Sequence, residues 1–81
     1  MTPQELRQEV LSALAELAPE ANMQELSAND DVRDALDLDS MDILRFATML
    51  HDRLGVDVPE TDYNHIVNVD DCVDYLQQHL S

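Results

Sequence analysis

Ser40 is the one hydroxyl in this chain whose setting suggests chemistry. It stands in Asp37-Leu38-Asp39-Ser40-Met41-Asp42, directly ahead of an apolar periodicity. Asp39 has the character of a helix N-cap, and Asp42 three residues on completes a variant of the capping box. Ile43, Phe46, Ala47, Leu50 and Leu54 then fall on one helical stripe. Ser40 is therefore expected to be an exposed hydroxyl at a helix N-terminus, where backbone N–H groups and the helix dipole favour a phosphate. The competing reading makes Ser40 a second capping residue.

A nucleophilic role needs a nearby base. The nearest histidine along the helix is His51, eleven residues on and roughly 16 Å away at the helical rise. His65 approaches only if the tertiary fold brings it in. Asp42, if exposed, is a carboxylate and a weak base, and no G-x-S-x-G elbow surrounds the serine. Calcium is excluded by register: with Asp37 as the first loop position, Asp42 occupies the place of the required glycine and Thr48 that of the closing glutamate. His51, His65, His79 and Cys72 lack metal-ligand spacing. They read as ordinary surface or half-buried side chains, with Cys72 a small core residue. The chain is not expected to be an enzyme.

The elements that position Ser40 follow from pattern. Thr2-Pro3-Gln4-Glu5 is a helix start, and Leu6, Val10, Ala13, Leu14 and Leu17 form the stripe of a helix over residues 3–18, stopped by Pro19. Residues 19–39 show no sustained period. Their anchors are Met23, Leu26, Val32, Leu36 and Leu38, and Ser27 or Asn29 is a candidate cap for a turn through Val32 and Ala35. So long a connection is unusual in a compact domain. The serine's own helix runs over 40–54 and ends at Gly55, the only glycine in the chain. A brief helical turn from Pro59 carries Tyr63 and Ile66 inward. Asn68, with Asp71 at N3, caps a last helix whose stripe is Val69, Cys72, Val73, Leu76 and Leu80. No strand pair is signalled. The expected fold is all-α, a small four-helix bundle of three longer helices and one short one, in a single domain over 1–81.

Composition narrows the partners. Eighteen Asp and Glu against four Arg and no Lys give a formal net charge of −14. Nucleic acid and anionic membrane surfaces are disfavoured, and basic protein surfaces are attracted. With only Phe46, Tyr63 and Tyr75 as aromatics, the core must be aliphatic. One cysteine cannot form an internal disulfide, in keeping with a reducing, cytoplasmic compartment. No apolar run reaches the ~20 residues of a membrane span, and no secretory signal opens the chain.

Asp39-Ser40-Met41 at the start of an amphipathic helix resembles the Asp-Ser-Leu motif of acyl carrier proteins. The similarity continues through Arg53-Leu54-Gly55-Val56-Asp57-Val58-Pro59 and Asn68-Val69-Asp70-Asp71-Cys72-Val73-Asp74-Tyr75-Leu76. The resemblance implies a four-helix carrier of acyl-carrier type, a monomer, modified on Ser40 by 4′-phosphopantetheine. It implies a phosphopantetheinyl transferase (holo-synthase) that draws on coenzyme A and a divalent metal. The arm's thiol then holds acyl groups as thioesters for acyl-loading and acyl-transferring enzymes with basic docking patches. In related carriers the acyl chain can retreat between the helices.

By position, Asp39 matches the acidic residue before the serine, Met41 the apolar residue that enters a partner's pocket, and Asp42 an acidic contact beside the attachment site. Arg45, Thr48 and Asp52 share the wet face with Met41. Asp37 replaces the usual glycine, stiffening a turn, and is counted with the docking residues. Arg45 and His51 stand where fatty-acid carriers are often acidic. A cation there repels part of a partner's basic patch, pointing to a specialised acyl or lipid pathway rather than bulk fatty acid biosynthesis. An aminoacyl, peptidyl or polyketide carrier stays open, as does an unmodified acidic adaptor.

Overall fold

A computed structural model describes residues 1–80. Four α-helices follow in order: α1 (Pro3–Leu17), α2 (Val32–Ala35), α3 (Ser40–Leu54) and α4 (Val69–Leu80). Two 3₁₀ turns, Met23–Glu25 and Glu60–His65, lie in the connections. No strand occurs among the described residues.

Each long helix begins where its cap dictates. The Thr2 hydroxyl accepts from the Glu5 N–H at 3.1 Å while Glu5 accepts from the Thr2 N–H at 2.9 Å. Asn68 accepts from the Asp71 N–H at 2.7 Å and opens α4. At the far end of α3, Gly55 adopts φ 71° and donates to the His51 carbonyl. An L side chain is disfavoured in that left-handed conformation, hence the glycine.

The apolar stripes meet as expected. Leu6, Val10, Ala13 and Leu14 of α1 pack with Ile43, Phe46, Ala47 and Leu50 of α3 and with Val69, Cys72, Val73, Tyr75 and Leu76 of α4. Leu17 and Leu54 are only half-buried. Leu80, expected on the α4 stripe, is 38% exposed because the last turn runs past the core. Charge ties the helices together at their rims. Arg53 on α3 reaches Glu9 at 3.1 Å and Glu16 at 3.0 Å on α1, and these carboxylates hold its guanidinium pKa above the ordinary value.

The long connection between α1 and α3 proves ordered. Val32 and Leu38 are buried plugs, with Met23, Leu26 and Leu36 packed against the same core. Two backbone hydrogen bonds pin it to the approach to α4, Val32 N–H to the Val67 carbonyl at 2.8 Å and Asp70 N–H to the Ala28 carbonyl at 3.0 Å. The single turn of α2 is capped by Asp31, which accepts from the Arg33 N–H at 2.9 Å, rather than by Ser27 or Asn29. Ser27 instead closes a preceding turn with Asp30. The brief turn expected from Pro59 is 3₁₀, so the fourth α-helix is α2. α1 ends at Leu17, with Ala18 as its C-cap.

Candidate functional site

Ser40 is the first residue of α3. Asp39 supplies the cap: its carboxylate accepts from the Asp42 N–H at 2.9 Å, and Asp42 accepts in return from the Asp39 N–H at 3.2 Å. The Ser40 side chain takes no part in this box and has no hydrogen-bond partner among the described residues. It is exposed. The capping reading of Ser40 is therefore displaced by its neighbour, and an unspent hydroxyl points outward from the helix start.

The loop that delivers this hydroxyl is tightly turned. Asp37 has φ 56°, the one non-glycine residue with positive φ among those described. This reversal lets the Leu38 N–H reach back to the Arg33 carbonyl at 3.0 Å. Glycine is the usual residue at such a helix C-terminus, so the departure to Asp37 keeps the left-handed turn at a conformational cost. Leu38, buried, anchors the loop immediately before Asp39.

A groove of about 290 Å³ opens beside the serine, lined by Arg33, Leu38, Asp39, Ser40, Ile43, Tyr63, Asn64 and Val67. Its floor is apolar and its mouth polar. No histidine lines it. His65 instead stacks on Tyr75, whose ring also stacks on His79 at 4.2 Å between centroids. The Tyr75 hydroxyl donates to Asp62 at 2.9 Å. Removal from water and this hydrogen bond push the phenol up to about 12. Burial raises the Cys72 thiol to about 12 as well, so it is an inert core group.

Of the residues expected around Ser40, Asp37, Asp39, Met41, Arg45, Thr48 and Asp52 are all exposed, and Asp42 is half-buried. Thr48 spends its hydroxyl hydrogen on the Leu44 carbonyl at 3.0 Å. Three of the four arginines are paired: Arg7 with Asp70 at 3.7 Å, Arg33 with Asp31 and Arg53 with two glutamates. Arg45 has no ion-pair partner among the described residues. His51 lies 3.4 Å from Asp57 and 3.9 Å from Asp52.

Two features were not anticipated from sequence. Leu44 is 44% exposed, one turn from Met41 at 60%, so the outer face of α3 carries a pair of exposed apolar side chains. Its signal was present, since Leu44 falls off the stripe that runs from Ile43 to Leu54. Arg33, Tyr63, Asn64 and Val67 gather beside Ser40 only through the fold. No sequence pattern links them.

Residues 8–76 match the family model described as "Phosphopantetheine attachment site". The chain is 30% identical over 60 residues to an acyl carrier protein of Lactobacillus acidophilus, covering 74% of this chain and 75% of that protein. It is 31% identical over 75 residues to the meromycolate extension acyl carrier protein of Mycolicibacterium aurum, covering 89% and 77% respectively. Against an acyl carrier protein of Thermobifida fusca it is 29% identical over 73 residues, covering 86% and 92%. No helix among the described residues is long and apolar enough to cross a membrane.

Proposed function

The chain belongs to the acyl carrier protein family, and on that premise we propose that Ser40 is the residue that bears its 4′-phosphopantetheine. The observation that carries this is the division of labour at the α3 start: Asp39 caps, and Ser40 is left exposed with its hydroxyl unspent. The residues fit the group. A phosphodiester attached here would sit at a helix N-terminus, beside a groove with an apolar floor and an arginine at its mouth. When attached, the arm supplies the thiol on which acyl groups are held as thioesters.

The chain's own task is presentation. Asp37, Asp39 and Asp42 surround the attachment point with negative charge that draws a basic enzyme surface. Met41 and Leu44 offer apolar contact, with Arg45, Thr48 and Asp52 extending the face along α3. A few exposed side chains on a charged rim suit docking that is specific yet brief. The first partner on this reading is a phosphopantetheinyl transferase that uses coenzyme A and a divalent metal. The later partners are the enzymes that load and transfer the acyl group, and residues 1–81 act as one carrier domain.

Arg45 supports a further narrowing, to a dedicated acyl pathway. It is an exposed arginine without an ion-pair partner among the described residues, in the middle of this docking face, and it disfavours any enzyme whose patch is uniformly basic. The meromycolate extension carrier among the relatives is compatible with this reading.

Co-expression with a broad-specificity phosphopantetheinyl transferase tests the proposal. Intact mass should rise by one arm in the wild type and not at all in Ser40→Ala. An arm that is still added to Ser40→Ala sinks the assignment, as does a wild type that accepts none. The mass of any acyl group on protein from its host would identify the pathway.

A further inference from the structure

We propose that Arg33 is the counter-ion of the phosphodiester on Ser40, a positioning residue that holds the base of the arm at the mouth of the groove. The inference rests on the reading of Ser40 as the attachment residue. It begins from a charge problem. Attachment adds an anion among Asp37, Asp39 and Asp42, and the capping box already occupies the Asp42 N–H. The dipole of α3 is thus partly answered by carboxylates before the phosphate arrives.

Among the described residues, Arg33 is the only cation that lines the groove with Ser40. Its placement is fixed from both ends. The Arg33 carbonyl accepts from the Leu38 N–H at 3.0 Å, which ties it to the loop two residues before the serine. Its own N–H donates to Asp31 at 2.9 Å. The guanidinium is oriented by the same carboxylate, with Nε donating at 3.0 Å and Nη2 at 2.6 Å. A guanidinium has five N–H donors, so these two bonds leave the remainder unspent, and the side chain is 52% exposed. Its planar fork suits a phosphate oxygen pair better than an ammonium does. An exposed Arg–Asp pair two residues apart adds little to stability by itself, whereas an arginine braced by Asp31 at the edge of an acidic site has a ready anionic partner once Ser40 is modified.

The test compares apo and holo protein, the holo form verified by mass. Melting temperatures are measured at about 10 mM and about 1 M salt, where screening lengths differ tenfold. Arg33→Gln should make attachment more destabilising than in the wild type by roughly 2–5 °C at low salt, and the difference should vanish at high salt. Arg33→Lys should recover part of it, and Arg7→Gln, remote from the groove, should behave as the wild type. The ³¹P resonance of the phosphodiester should move in Arg33→Gln and stay in place in Arg7→Gln. Equal loss in apo and holo Arg33→Gln overturns the proposal, and so does a ³¹P resonance indifferent to Arg33. Failure of the wild type to take any arm removes the Ser40 reading itself, and this one with it. An arm that is added without coupling to Arg33 removes this one alone.

Discussion

The backbone N–H of Leu38 donates to the carbonyl of Arg33 at 3.0 Å, across an Asp37 whose φ is 56°. This bond closes the single turn of α2 and aims the chain into α3, so the position of Ser40 depends on a left-handed aspartate. Replacing Asp37 by glycine relieves the conformational strain, at some loss of unfolded-state restriction. Asp37→Gly should stabilise the protein by about 0.5–1 kcal/mol and Asp37→Val should destabilise it by at least as much, measured by urea unfolding. A destabilised glycine variant would mean that the Asp37 side chain contributes more than its backbone costs.

Alkaline stability should be governed by Cys72 and Tyr75. Both are raised to about 12, Cys72 from 9.0 by burial and Tyr75 from 10.0 by removal from water and its bond to Asp62. The folded state keeps protons that the unfolded state releases. Stability from these groups is complete below pH 9 and is lost as pH rises towards about 12. Cys72→Ala should flatten the fall that begins near pH 9, at a cost of roughly 1 kcal/mol at neutral pH for the lost packing. Thermal melts across pH 7–11 are the check.

The same burial makes Cys72 a silent thiol. A maleimide should leave the native apo protein unmodified, because the thiolate is the reactive form and burial opposes it. Attachment of the arm should create one reactive thiol per chain. Rapid labelling of the native apo protein would show that α4 opens readily.

With a net charge of −14, self-repulsion should make the apo domain loose at low ionic strength. Salt or a divalent cation should raise its melting temperature. Arg53 works in the opposite sense, since its pairs with Glu9 and Glu16 weaken as salt rises. Arg53→Gln should lower stability by about 1 kcal/mol in dilute buffer and by less at high salt. A melting temperature indifferent to both ions would mean that the carboxylates are already well separated.

On the proposed docking face, Met41→Ala and Leu44→Ala should weaken binding to a partner enzyme with under about 0.5 kcal/mol change in stability, because both side chains are exposed and neither belongs to the core. Arg45→Glu should improve binding to a general fatty-acid elongation enzyme. Unchanged or weaker binding by calorimetry would remove Arg45 from the determinants of partner choice.

Much of this molecule is legible along the chain because its signals are local. A helix start depends on residues three apart, so Thr2 with Glu5, Asp39 with Asp42 and Asn68 with Asp71 announce α1, α3 and α4 directly. The 3.6-residue period names the buried faces, and the exposure of Ser40 follows from standing at N1 behind a better cap. What tertiary structure alone decided is what lies beside that serine. The connection from 19 to 39 is ordered by bonds to Val67 and Asp70, far along the chain, and no local period encodes such contacts. Asp37 takes a left-handed turn because α2 must close against Leu38. Arg33 from one connection meets Tyr63, Asn64 and Val67 from another, and that meeting forms the groove. Sequence alone singled out Ser40 as the proposed attachment point; packing between distant segments determined which side chains lie beside it.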